Sequence, residues 1–211
     1  DTRNLERLIM KIGIIDYGAG NIQSVTNAFD RLGTECVLSG DINELLRCDH
    51  LVLPGVGSFG AAMDSLNRSN IKPIIEKALN DEIPFLGICL GLQLLYEKSE
   101  ESPDAVGLSV LNGVIKKIPS HSGIKIPHMG WDNCILKNEG RLFAGIPKEP
   151  YLYFVHSYYL DATDKTTVTA VNNYGVDMDV SIEKNNFFAC QFHPEKSGDT
   201  GMYILKNFME I

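Results

Sequence analysis

The chain has 211 residues, 19 of them basic and 27 acidic, for a formal net charge of −8. That balance argues against nucleic acid or an anionic membrane as a partner, while local acidic patches remain compatible with protein partners. A chain of this length can bury roughly 70% of its unfolded surface in one domain without staples. The five cysteines, an odd number without paired spacing, read as reduced thiols in a cytoplasmic protein. No apolar run approaches the ~20 residues of a membrane span, and no secretory leader is apparent.

In chain order, Met10 reads as the natural start, and residues 1–9 read as an expression remnant or an alternative extension. Apolar strand-like runs at 12–16, 51–53 and 84–88 then alternate with helical stretches at 21–32, 71–79 and 90–98. That alternation predicts α/β architecture, a mostly parallel sheet covered by helices. From Val114 onward the pattern changes to strand-like pieces with short polar turns, at 151–157, 167–171, 180–182 and 187–192. We read these as an antiparallel extension of the same sheet, closed by a helix over 198–209. With no internal repeat, low-complexity tract or linker, residues 10–211 form one expected domain.

The most informative string is Phe85-Leu86-Gly87-Ile88-Cys89-Leu90-Gly91-Leu92-Gln93, an apolar strand running through Gly-x-Cys-x-Gly into a helical segment. It has the form of a nucleophile elbow, with glycines on both sides leaving room for a strained turn and an approaching substrate. Helix N–H groups and the positive end of the dipole would favour thiolate there. A base candidate follows far downstream in Gln191-Phe192-His193-Pro194-Glu195, where Pro194 ends the strand and Glu195 can orient His193. Cys36, Cys48, Cys134 and Cys190 default to packing.

One motif competes with this reading. Gly55-Val56-Gly57-Ser58-Phe59-Gly60 fits G-x-G-x-x-G after an apolar strand, the form of a dinucleotide loop. Glu76, however, lies in a segment that reads as helix rather than at a strand end, and the first βα turn lacks the third glycine, so nucleotide binding is disfavoured. His121, His128 and His156 lack metal-ligand spacing, so neither metal nor cofactor is expected.

The elbow and the downstream His-Pro-Glu together resemble the class I glutamine amidotransferases. The resemblance runs from about Lys11 to the C-terminus, and the strings 14–21, 53–60, 127–131 and 153–159 are similar to one subgroup, the glutaminase subunits of imidazole glycerol phosphate synthase. It implies a flavodoxin-like fold in which Cys89, His193 and Glu195 hydrolyse glutamine to glutamate and ammonia. It also implies an oxyanion hole from the N–H of Val56 or Gly57 with that of Leu90, where glycines flanking Val56 would allow a peptide flip. Gly55, Gln93, Ser157 and Tyr158 would contact glutamine. Asn21, Trp131, Tyr153 and Lys196 would face a (β/α)8 cyclase subunit that accepts the ammonia in histidine biosynthesis. Other readings are the glutaminase half of a sugar-aminating or pyridoxal-phosphate synthase, and a catalytically silent interaction module.

Overall fold

Strands whose residues are apolar on both faces belong in the middle of a sheet covered on both sides. The computed structural model, which describes residues 10–18, 22–120, 123–138 and 140–211, puts them there. Asn21 and residues 1–9 lie outside the described residues. The elements are β1 (Lys11–Ile15), α1 (Ile22–Arg31), β2 (Glu35–Ser39), α2 (Ile42–Leu45), β3 (His50–Gly55), α3 (Phe59–Arg68), α4 (Lys72–Asn80), β4 (Phe85–Cys89) and α5 (Leu90–Leu94). They continue with β5 (Lys98–Ser99), β6 (Gly113–Lys117), β7 (His128–Asn133), β8 (Ile135–Leu136), β9 (Tyr151–His156), β10 (Tyr158–Ala162), β11 (Val168–Asn173), β12 (Asp177–Lys184), β13 (Phe187–Cys190) and α6 (Gly198–Met209).

Every residue of β3, β4 and β13 is buried. The main sheet has the order β2-β1-β3-β4-β13-β12-β10-β6-β5, with β11 and β8 attached through β12. Strands β2, β1, β3, β4 and β13 are parallel. From β13 through β12 and β10 to β6 the pairing is antiparallel. Helices cover both faces because each carries one apolar stripe. Phe59, Ala62, Met63 and Leu66 of α3 pack with Ile74, Ile75 and Ala78 of α4 in one core. Val25 and Phe29 of α1 share the opposite core with Ile204, Leu205 and Phe208 of α6.

Two local expectations are corrected. The strand at 151–157 does not extend the main sheet: among the described residues, β9 pairs only with β7, in a separate two-stranded ribbon. The ribbon buries Leu152, Phe154 and His156 against the second core and turns Met129, Trp131 and Tyr151 outward. The helix expected over 90–98 ends at Leu94, and β5 begins at Lys98. Its apolar residues continue through Leu95 and Tyr96 because that turn is itself buried, so hydrophobicity alone overstates the helix.

Candidate active site

The parallel register of β4 with β13, in which Ile88 lies opposite Cys190, brings the elbow and the His-Pro-Glu turn to the same end of adjacent strands. Cys89 closes β4 at φ 54° and ψ −107°, a conformation that costs a non-glycine residue of order 1–3 kcal/mol and is held by its surroundings. The expected role of the flanking glycines is thereby refined, because neither Gly87 nor Gly91 has positive φ. They are needed for close approach. A Cβ on Gly87 would lie 2.8 Å from the Gly91 carbonyl oxygen, and one on Gly91 would lie 1.9 Å from the Leu53 carbonyl oxygen.

Cys89 borders a cavity of about 300 Å³ that also touches Val56, Gly57, Leu90, Gln93, Ser157, Tyr158 and His193. That volume is at the small end of ligand pockets. Gly55 does not line it; the space a side chain would need is taken by the Tyr17 hydroxyl at 2.6 Å and the Leu90 Cβ at 2.9 Å. His193 Nδ1 lies 2.8 Å from Glu195 Oε1, with both side chains almost fully buried. Burial disfavours the charged imidazole, but the facing Cys89 sulfur and the Glu195 carboxylate outweigh it and push the His193 pKa up to about 9. His193 Nε2 is buried without a hydrogen-bond partner among the described residues, free to exchange a proton with a ligand.

The other four thiols are pushed upward, chiefly by burial: Cys36 to about 12, with Cys48, Cys134 and Cys190 also raised. None of the four borders the cavity.

Several contributors were not legible in the sequence. Glu101 lines the cavity and accepts from the Phe59 N–H at 2.7 Å, while Ser102 Oγ accepts from the Gly60 N–H at 3.1 Å. The helix start within G-x-G-x-x-G is thus filled by the chain's own side chains, which disfavours a phosphate there. Ser197 Oγ donates to the His193 carbonyl at 2.7 Å and accepts from the Tyr153 N–H at 2.9 Å, tying the His-Pro-Glu turn to the ribbon. Gln191, fully buried, donates to Cys89 Sγ at 3.6 Å and accepts from Gln93 Nε2 at 3.0 Å. His156 Nδ1 donates to the Tyr158 carbonyl at 2.9 Å, which also accepts from Gln93 Nε2 at 3.1 Å.

Of the residues expected to face a partner, Trp131, Tyr153 and Lys196 lie outside the cavity, and Asn21 is outside the described residues. Trp131 and Tyr153 stand opposite each other in the ribbon with rings 6.2 Å apart, edge to face. Met129, Trp131 and Tyr151 are each more than half exposed, and Lys196 is exposed directly after Glu195.

Residues 13–211 match the family model for glutamine amidotransferase class-I. The chain is 45% identical over 200 residues to the imidazole glycerol phosphate synthase subunit HisH of Moorella thermoacetica, covering 95% of this chain and 94% of that one. It is 46% identical to the HisH subunit of Methanothermobacter thermautotrophicus, covering 95% and 98%. Among solved structures it shares the fold of PurLQS from Thermotoga maritima, with a TM-score of 0.73 at 19% identity over 96% of this chain and 99% of that one. Among the described residues, no helix is long and apolar enough to cross a membrane. From the elbow geometry and this near full-length similarity, the chain belongs to the class-I glutamine amidotransferases, within the family of imidazole glycerol phosphate synthase HisH subunits.

Proposed function

We propose that residues 10–211 act as one cytoplasmic domain, hydrolysing the side-chain amide of glutamine at Cys89 and passing ammonia to a (β/α)8 cyclase subunit for histidine biosynthesis. The observation that carries this reading is the strained Cys89 at the head of α5, in a cavity shared with His193, which is paired in turn with the buried Glu195 carboxylate. The thiolate attacks the amide carbon and a C–S bond forms. The developing oxyanion is held by the N–H of Leu90 and that of Val56 or Gly57. Imidazolium His193 gives its proton to the departing nitrogen, and ammonia leaves. Water, deprotonated by His193, then cleaves the γ-glutamyl thioester to glutamate and regenerates the thiolate. Glu195 orients His193 and supports its charge.

The chemistry of the lining suits an amino acid. Glu101 offers a carboxylate to the α-ammonium group, and Ser157 lies alongside. The Nε2 of Gln93 already serves Tyr158 and Gln191, so its Oε1 is the atom left for substrate. The Tyr158 carbonyl already takes two donors, so a contact from that residue falls to its other atoms. The exposed ribbon face, with Met129, Trp131, Tyr151 and Tyr153, is a suitable seat for the cyclase: aromatic anchors are the usual hot spots of such interfaces.

Glutamate release assayed alone, with cyclase, and with cyclase plus acceptor tests the reading. The isolated chain is expected to be slow, with activation of order 10²–10³-fold if docking and acceptor supply one missing oxyanion donor. Cys89→Ala abolishes release. Full activity in the isolated chain, unchanged by either addition, would overturn the coupling and the partner together.

A further inference from the structure

We propose that Gln191 is a positioning residue for Cys89: its carboxamide, locked in one orientation, holds an N–H donor against the sulfur and favours the thiolate. The inference rests on Cys89 being the nucleophile. Amide orientation is ordinarily ambiguous, because the oxygen and nitrogen are close to isosteric. Here a backbone carbonyl decides it. The Tyr158 carbonyl can only accept, so Gln93 must present its nitrogen to it, at 3.1 Å. The second hydrogen of that nitrogen goes to Gln191 Oε1 at 3.0 Å, so the Gln191 oxygen faces Gln93. The Gln191 NH₂ group is then directed at Cys89 Sγ, at 3.6 Å.

Besides the His193 imidazole that faces it, the sulfur meets the Val155 carbonyl at 4.0 Å, which can accept from the thiol S–H but offers nothing to a thiolate. Ionisation therefore weakens that contact and strengthens the one with Gln191, since hydrogen bonds to charged acceptors are about twice as strong as neutral ones. Both amides are buried, Gln191 fully and Gln93 to 5% exposure, so water competes little for the donor. The backbone N–H of Gln191 donates to the Val180 carbonyl at 2.9 Å and fixes the donor two residues before His193. One segment thus delivers both the base and the thiolate donor to the sulfur.

The test uses the full chain with iodoacetamide, a small alkylating agent that does not need the glutamine site. Alkylation of Cys89 is followed by peptide mapping across pH, and kcat and KM for glutamine are measured with the partner present. In Gln191→Met the alkylation profile should move up by about one pH unit, with reaction about tenfold slower below the midpoint. The kcat should fall while KM stays within about twofold, a split that loss of a merely structural contact would not produce. Gln93→Met unlocks the Gln191 amide and should shift the profile in the same direction by less, which decides the matter if the Gln191 variant fails to fold. An unchanged alkylation profile in either folded variant overturns the proposal. Label on other cysteines, or activity surviving in Cys89→Ala, overturns instead the reading of Cys89 as nucleophile.

Discussion

Replacing Gly91 by alanine tests whether the elbow depends on close approach rather than on glycine's conformational freedom. The added Cβ would sit 1.9 Å from the Leu53 carbonyl oxygen, where real Cβ atoms keep at least about 3 Å. Leu53 cannot yield, because β3 is hydrogen-bonded to β1 on one side and β4 on the other, with Leu53 itself opposite Gly87. Helix α5 must therefore move by about 1 Å, carrying Leu90 and the Cys89 backbone with it. Overpacking of this kind costs about 1–3 kcal/mol of stability, and a 1 Å misplacement of reacting groups costs about 10²-fold in rate. Urea denaturation combined with partner-stimulated glutamate release would measure both. Gly57→Ala is the control: its φ of 103° makes substitution strained, but its Cβ would meet nothing within 4 Å, so any loss there comes from the oxyanion loop and not from packing. If Gly91→Ala stayed within about 0.5 kcal/mol and threefold in rate of the parent, the close-approach argument would be refuted.

Two further outcomes follow from the titrating groups. His193→Ala should abolish turnover, whereas Glu195→Gln should keep weak residual activity, down by up to about 10⁴-fold, because only orientation and charge support are lost; parent-like single-turnover rates in the His193 variant would remove it from the mechanism. Stability should peak near pH 6.5. Burial, helped by the nearby charges of His128 and His193, pushes His156 down to about 3 against the Tyr158 hydrogen bond, so the unfolded chain binds more protons and stability falls from about pH 6.5 towards 3, by up to about 1.4 kcal/mol per unit. His128 and His50 are lowered too and act in the same direction. His193, raised to about 9 against its burial by Cys89 and Glu195, gives the opposite slope: its contribution is full below about 6.5 and is lost as pH rises through 9. Denaturant midpoints across pH would reveal both limbs, and Cys89→Ala should flatten the alkaline one; an alkaline limb unaffected by that change would sink its assignment to the Cys89–His193 pair.

The signals that can be read along the chain are local ones. Strand-to-helix alternation in the first half, the elbow around Cys89 and the His-Pro-Glu turn are each written in a few neighbouring residues, because period, Gly spacing and Pro punctuation act over one or two turns of chain. Even the G-x-G-x-x-G string could be set aside locally, from the absence of an acidic residue at the end of the next strand. The tertiary structure decided the rest. Residues 151–156 read equally well as part of the main sheet; only pairing with β7 across an intervening segment made them a separate ribbon with an exposed aromatic face. Gln191 and Gln93 are ordinary glutamines until the fold brings together positions 98 residues apart, and the direction of both amides is set by a carbonyl on a third element. Glu101 likewise caps a helix that begins 42 residues before it. A residue's type is local, but its hydrogen-bond partner and the solvent it loses are consequences of long-range packing, and these decide which polar side chains reach Cys89.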